Sequence, residues 1–392
     1  MKKVLLLNSS HNDLGLINGL KKLGYYIYVT GNVPDLIGQK YTDKYIRADF
    51  SDKDHILEIA KALKIDNICA CCNDFGMYTA SYVAEKLNLP GYDSYETTLI
   101  LNNKDKFKTF AKKYKILSPF SYSFNNIQKA ISWAYNQELP LISKAVDLSA
   151  GNGIHKIEKK DDIEFAIKDS FEKSRAKRIV IEPYITGSQH GFCTFLVNKK
   201  VVASCSNDEY SILNPYRVEI DTWPARGIEK YEEKLINQVE TIASILDLKD
   251  GIFHLQYILS NGKPFIIEVM RRAIGNMYGY IASKYSGFDW DYWEARALTG
   301  HDCTMFPVNQ PKDGFFAYKA ILSDKNGVIK SIKIPDRYSK YLIDKCIIKK
   351  IGDRIDNNLS QPIGLMFFRF SSQNEMLNFL VNHYCNDIVE VN

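Results

Sequence analysis

At 392 residues, with 45% hydrophobic and 25% charged residues, the chain has apolar material for two or three domains and is not a disordered polymer. Its formal net charge of +5 is spread along the sequence, which admits small anionic ligands and makes no special case for nucleic acid. The eight cysteines have irregular spacing, so neither a zinc pattern nor a disulfide framework is present, and buried, reduced thiols in a cytoplasmic protein are expected. The apolar run after Met1-Lys2-Lys3 stops at Asn8, too short for a signal peptide or a membrane span.

That run, Val4 to Leu7, predicts a buried strand, followed by the loop NSSHNDLG, a helix from Leu16 to Leu23 and a strand from Tyr26 to Val29. A helix over Asp54 to Leu63, a strand over Ile68 to Cys72 and a helix over Gly76 to Leu87 continue the alternation. Residues 1–100 therefore read as a doubly wound α/β domain. The first loop lacks a GxGxxG, so the dinucleotide fingerprint is absent. The NDFG turn, Asn73 to Gly76, falls where such sheets bind ligands, although a plain helix cap at Asn73 or Asp74 explains it equally well.

LNNKDKFKTFAKKY predicts a helix capped by Asn102 or Asn103, with Leu101, Phe107, Phe110 and Ala111 inward and lysines on a solvated face. A small α/β unit follows from Leu117 to Ile185, with helices over Ile127 to Asn136 and Asp161 to Glu172 and strands over Leu139 to Lys144 and Arg178 to Glu182. Within it the loop DLSAGNGI, Asp147 to Ile154, has small residues whose N–H groups could wrap phosphate oxygens, with Lys144 adding a point charge. A flexible solvent loop has the same composition. IEPYITG, Ile181 to Gly187, ends the unit with a proline unsuited to a central strand, leaving a main-chain edge that could read an adenine.

Two strands about Asn198-Lys199-Lys200 and a helix over Tyr231 to Leu246 lead into GIFHLQYILSNGKPFIIEVMRRAIG, Gly251 to Gly275. Two apolar, β-branched runs flank Asn261-Gly262, the strongest short hairpin signal. His254, Gln256 and Ile258 share a face of the first strand, and Ile266, Glu268 and Met270 a face of the second. A two-residue turn gives the wrong parity for Gln256 to stand beside Glu268, so a shared site requires a three-residue loop or a bulge. Arg217 and Arg226, in the polar stretch SNDEYSILNPYRVEIDTWPARG, are candidates to clamp an acid, with surface ion pairing as the alternative. After Tyr292 to Leu298, short strands at Phe315 to Ile321, Val328 to Ile334, Lys345 to Ile351 and Met366 to Phe370 precede a closing helix, Gln373 to His383. They predict a small, mainly β domain over 301–392.

In order and across nearly the whole chain, these pieces resemble the ATP-grasp superfamily, carboxylate–amine ligase type. The resemblance implies an N-terminal doubly wound α/β domain, a central two-lobed ATP-clamping domain over 101–300 (small lobe about 117–185) and a C-terminal β-rich domain. NKDKF resembles the family's first phosphate lysine and points to Lys106; SKAVDLSAGNGI resembles its lid and points to Lys144, Asp147, Ser149, Gly151 and Gly153. IEPYITGSQ resembles its hinge, which implies Glu182, Pro183, Tyr184 and Ile185 at the adenine and Gln189 at the ribose, and the resemblance also implies Ile267 as a nucleotide-binding residue. FIIEVMRRAIG resembles its floor, implying Glu268 on magnesium with Gln256, Arg272 and Lys144 as catalytic groups, and Arg271 beside the substrate with Arg217 and Arg226.

Three positions depart from the pattern: Gln189 and Gln256 replace carboxylates and Met270 replaces an asparagine, so magnesium would lean on the phosphates of ATP. The implied activity is ATP-dependent joining of a carboxylate to an amine or amino acid through an acyl phosphate, with ADP and phosphate released and no nucleophilic side chain required. The implied cofactors are ATP and Mg2+, and the implied partners are small-molecule carboxylate and amine substrates, with no nucleic acid, no membrane, and room for a homodimer. The alternatives are a bicarbonate-using carboxylase and a degenerate nucleotide-binding regulator.

Overall fold

In the computed structural model, which describes residues 1–148, 151–307 and 310–392, the N-terminal residues form a parallel sheet. Its elements are β1 (Lys3–Leu7), α1 (Leu14–Lys22), β2 (Tyr26–Gly31), β3 (Lys44–Arg47), α2 (Lys53–Leu63), β4 (Asn67–Cys69) and α3 (Asp74–Leu87), with strand order β3-β2-β1-β4. Val4 to Leu7 are wholly buried, as a central parallel strand without polar alternation demands. The fourth strand stops at Cys69, short of the expected Cys72. Asn73 then caps the helix, its Oδ1 accepting from the Phe75 N–H at 2.9 Å, so α3 starts at Asp74.

Helices α4 (Tyr95–Asn102) and α5 (Lys104–Lys113) lead to the small lobe: β5 (Tyr122–Phe124), α6 (Ile127–Tyr135), β6 (Leu141–Ala145), β7 (Ile154–Ile157), α7 (Ile163–Lys173) and β8 (Ile179–Pro183). Its antiparallel sheet runs β5-β8-β6-β7 over a core that includes Ala130, Ala134, Leu141, Ile163, Ile167 and Ile179. Opposite it lies the large sheet. Its first strands are β9 (Ser188–Val197), β10 (Lys200–Tyr210) and β11 (Ile220–Trp223), then, after α8 (Glu232–Ile245), the hairpin β12 (Gly251–Ser260) and β13 (Lys263–Met270). Helices α9 (Tyr278–Ser286) and α10 (Trp290–Leu298) precede β14 (Phe315–Ile321), β15 (Gly327–Ile332), β16 (Leu342–Ile347), β17 (Arg354–Ile355), β18 (Gly364–Phe370), α11 (Gln373–Leu377) and β19 (Val389–Val391).

The large sheet has eight strands in the order β13-β12-β9-β10-β11-β14-β18-β16. Strands β14, β16 and β18 thus hydrogen-bond into the sheet that carries the central hairpin, while β15, β17 and β19 form a small sheet of their own, and the line at residue 301 runs between elements of one sheet. Residues past that line still hold a core of their own, with Met366, Phe368, Met376 and Leu380 around Ile329 and Ile355. One face of the large sheet packs Phe192, Leu196, Phe253 and Ile266 on α5 and α8. The other packs Cys193, Phe195 and Trp223 on α9 and α10 and turns polar toward the small lobe.

Candidate functional site

The hairpin turns at Asn261 and Gly262, both with positive φ (49° and 70°), which is the two-residue turn the Asn-Gly pair specifies. Pairing runs regularly from Ser260 opposite Lys263 to Tyr257 opposite Ile266, and then a bulge leaves Ile267 unpaired and puts Gln256 opposite Glu268. The bulge resolves the parity problem. Gln256 and Glu268 stand side by side and both line a cleft closed above by the small lobe.

That cleft is a slot with apolar walls and charged ends. Ile142, Ile154, Pro183, Tyr184 and Ile185 line it from the small lobe, and Ile258 and Ile267 from the large sheet. At its inner end three lysines converge on two carboxylates. Lys144 Nζ donates to Glu182 Oε2 at 2.9 Å, and Lys108 Nζ lies 3.2 Å from Oε1. Lys104 Nζ donates to Glu268 Oε1 at 3.1 Å and to the Leu148 carbonyl at 2.6 Å. Burial works to raise the pKa of Glu182, which is 1% exposed, but Lys108 and Lys144 outweigh it and hold the group below its usual range. Burial brings Lys108 down to about 8 against the pull of Glu182. For Lys104 the balance goes the other way, because Glu268 overcomes burial and raises its pKa.

Several expectations fall elsewhere. Lys106 points away from the cleft and pairs with Glu96 at the surface, 3.1 Å apart; Lys104 takes the place expected of it. Arg226 is held by Asp208 (Nε to Oδ2, 2.6 Å) and the Tyr210 hydroxyl. Asp208 and Tyr210 face the opposite side of β10 from Asn207 and Glu209, so Arg226 is no clamp in this cleft. Arg271 is buried in a structural knot, donating to Asp93 at 2.9 Å and to the carbonyls of Ile252 and Lys249. These corrections share one cause. Each side chain found a nearby acid or carbonyl that its neighbours in sequence did not announce.

Arg272 lies outside the slot but is joined to Asp74, in the NDFG turn, at 2.6 Å, so that turn does meet the floor motif. Gly151 and Gly153 both have positive φ (79° and 65°), in keeping with a tight loop of small residues beside β7; Ser149 lies outside the described residues. Asp147 accepts from the Ser174 hydroxyl and the Ala176 N–H and so braces the base of that loop.

Glu209 was not foreseen. It sits on β10 with both oxygens within 3.1 Å of the Gln256 amide nitrogen, and it accepts from Gln189 Nε2 at 2.7 Å. Gln256 reaches it across Gly191, where an added Cβ would lie 2.4 Å from Asn207 Oδ1. Burial raises the pKa of Glu209, and that of Asp221, its cross-strand neighbour, is raised by burial and by Glu209 itself. Tyr78 on α3 was missed as well. Its buried hydroxyl has no hydrogen-bond partner among the described residues, and burial followed by the charges of Asp74, Asp147 and Glu268 raises its pKa.

With its amide nitrogen committed to Glu209, Gln256 has its oxygen left for a ligand. One carboxylate and one amide oxygen fit a magnesium ion shared with phosphate oxygens and water, and not a closed protein cage. Among the described residues no cluster of three or more His, Cys, Asp or Glu side chains is placed to hold a metal.

Comparisons with known proteins agree with this fold. Residues 102–214 match the family model described as phosphoribosylglycinamide synthetase, ATP-grasp (A) domain. The carbamoyl phosphate synthase large chain of Clostridium perfringens is 22% identical over 290 residues, 69% of this chain and 26% of the relative, so the chain spans about a quarter of its length. The phosphoribosylglycinamide synthetase structure from Anaerococcus prevotii superposes with a TM-score of 0.76 at 20% identity, covering 100% of this chain and 99% of the other. The L-amino acid ligase structure from Bacillus licheniformis superposes with a TM-score of 0.83 at 17% identity, covering 100% and 98%. Residues 102–214 thus match an ATP-grasp domain, within a fold that the chain shares from end to end with these two structures.

Proposed function

We propose that the protein is an ATP-dependent ligase that activates a small-molecule carboxylate as an acyl phosphate and joins it to an amine or amino acid. The observation that carries this reading is the convergence of Lys104, Lys144, Glu182 and Glu268 in one slot between the two lobes. The apolar walls suit a purine and the lysines suit phosphate oxygens, so the residues present fit ATP. Lys104 and Lys144 would hold phosphates, Pro183 to Ile185 would border the base, and Gln189 would reach ribose hydroxyls. Glu268 and the Gln256 oxygen would hold magnesium, which when bound neutralises phosphate charge. The carboxylate oxygen attacks phosphorus with ADP leaving; the amine then attacks the acyl carbon, phosphate leaves, and the amine gives up a proton. Arg272, fixed by Asp74 at the edge of the N-terminal sheet, would neutralise the acyl phosphate.

The names of the relatives support the class of reaction, since L-amino acid ligase and phosphoribosylglycinamide synthetase both describe joining reactions. A regulator that binds nucleotide without turnover is the second reading, and the pairing of Glu268 with an amide, Gln256, favours it. ADP release screened against acids and amines separates the two: release that needs both substrates supports the ligase, and none with any pair supports the regulator. Release that needs bicarbonate would indicate a carboxylase.

The register of the lysines gives a separate test. Lys104→Ala and Lys144→Ala should each weaken binding of ATP with magnesium by about 2 kcal/mol, a factor of ~30, because each removes a charged hydrogen-bond donor. Lys106→Ala should bind as the wild type does. Calorimetry showing Lys106→Ala to be the damaging variant would return that residue to the site.

A further inference from the structure

Two buried nitrogen atoms, one in the loop after β1 and one in the loop between β10 and β11, lack hydrogen-bond partners among the described residues. His11 lies in the loop after β1, on the side of an open α/β sheet where ligands bind. Its Nε2 is sealed from solvent and has no hydrogen-bond partner among the described residues. The same is true of Arg217 Nη1. The two side chains are close enough that, after burial, the Arg217 charge is what brings the His11 pKa to about 4. Buried donors are almost always paired, and leaving one unpaired costs about 1–3 kcal/mol.

The nearby acceptors are already engaged. Glu219 acts on Arg217 from a distance, but its Oε1 accepts from the N–H groups of Ile212, Leu213 and Asn214, and its Oε2 from the Tyr384 hydroxyl. The Tyr318 oxygen accepts from Asn276 Nδ2 at 2.8 Å and the hydroxyl is bonded to Asp221. A buried arginine whose charge is felt by a buried histidine, with no free acid near either among the described residues, suits an anion.

We propose that His11 and Arg217 form a subsite for a carboxylate that is carried by one of the substrates and is not the one activated. This rests on the ligase reading and deepens it. One permanent positive charge and one neutral imidazole N–H match a monoanion better than a phosphate dianion. Pro215 and Tyr216, just before Arg217, line the nucleotide slot, so the subsite adjoins it. Tyr318 lies opposite Asp221, itself opposite Glu209, which places this end of the site about 10 Å, two strand spacings, from Glu209. A small amino acid or diacid spans such a distance. The carboxylate therefore belongs either to an amino acid serving as the amine or to a diacid serving as the acyl donor.

The binding test does not depend on turnover. In protein with 15N-labelled histidine, the His11 ring resonance, identified by its loss in His11→Gln, should move saturably with acetate, glycine or succinate and not with acetamide. In Arg217→Gln the midpoint of that shift should rise at least tenfold, and Arg217→Lys, which keeps the charge, should recover part of it. Thermal melts check that both variants fold. A resonance unmoved by all three carboxylates, or moved by inorganic phosphate alone, would overturn the proposal. Where turnover is found, an Arg217→Gln increase of tenfold or more in KM for alanine but not ethylamine assigns the carboxylate to the amine. The same increase for succinate but not butyrate assigns it to the acyl donor, and no increase in either comparison overturns the subsite. Failure of the ligase reading shows separately, as no ADP release with any pair, and leaves the titration to decide the subsite.

Discussion

Glu268→Gln is expected to lower turnover at least ~10³-fold, about 4 kcal/mol in the barrier, because it removes the carboxylate that lines the slot opposite Gln256. It also leaves Lys104 facing an amide, so nucleotide affinity should be measured with and without magnesium to separate the lost charge from a disturbed lysine. Turnover within tenfold of the wild type would exclude Glu268 from the metal site. The companion change, Gln256→Glu, does not simply restore a usual carboxylate, since it sets two carboxylates against each other where Gln256 now donates to Glu209. Alone it should lower the melting temperature. Combined with Glu209→Gln, which returns an amide to the pair, it should regain stability and bind magnesium more tightly than the wild type. A double variant no tighter than the single one would show that Gln256 does not face the metal.

Arg271→Leu is expected to destabilise the fold by about 3–5 kcal/mol, the usual cost of breaking a buried ion pair from one side. Arg271 ties Asp93, which follows the N-terminal sheet, to the start of the hairpin through the Ile252 and Lys249 carbonyls, and all three would lose its charged donors. Asp93→Asn should cost less, because Asp93 also accepts from the Lys249 N–H and an amide oxygen retains that bond. Thermal melting checks the order of the two variants. Unchanged melting of Arg271→Leu together with a raised KM for the acid would restore Arg271 to the substrate site.

The hairpin was legible because alternation, the Asn-Gly turn and parity together demanded a bulge, and the bulge is there. The lysine register was not, although its signal was present. Phe107 and Ala111 face inward on α5, and residues four apart share a face, so Lys104 and Lys108 border the buried side while Lys106 lies well around the helix. Reading the lysines as one solvated face hid that. Glu209 was hidden for a different reason. Strand β10 runs to Tyr210, but its last residues, Asn207 to Glu209, are buried and polar, and hydrophobic periodicity finds no strand where the partners are amides and carboxylates. Arg272 was expected at the chemistry and Arg271 beside the substrate, whereas Arg271 serves the frame and Arg272 meets the NDFG turn.

The eight-stranded sheet also sets the order in which the protein can be made. Strand β11 is bordered by β10 on one side and by β14 on the other, and β14 lies almost a hundred residues further along the chain. At ordinary rates of synthesis the ribosome needs roughly 5–20 s to cover that gap, during which Ile220 to Trp223 stand at an open edge. Asp221 meanwhile lacks Tyr318. An unpaired edge with Ile220 and Trp223 on it is a template for pairing with another nascent chain, and a chaperone or a slow start to β10 and β11 pairing would protect it. The sheet beneath the slot is therefore finished from far along the polypeptide, and a polypeptide cut after residue 300 would carry the side chains that line the slot on an unfinished sheet.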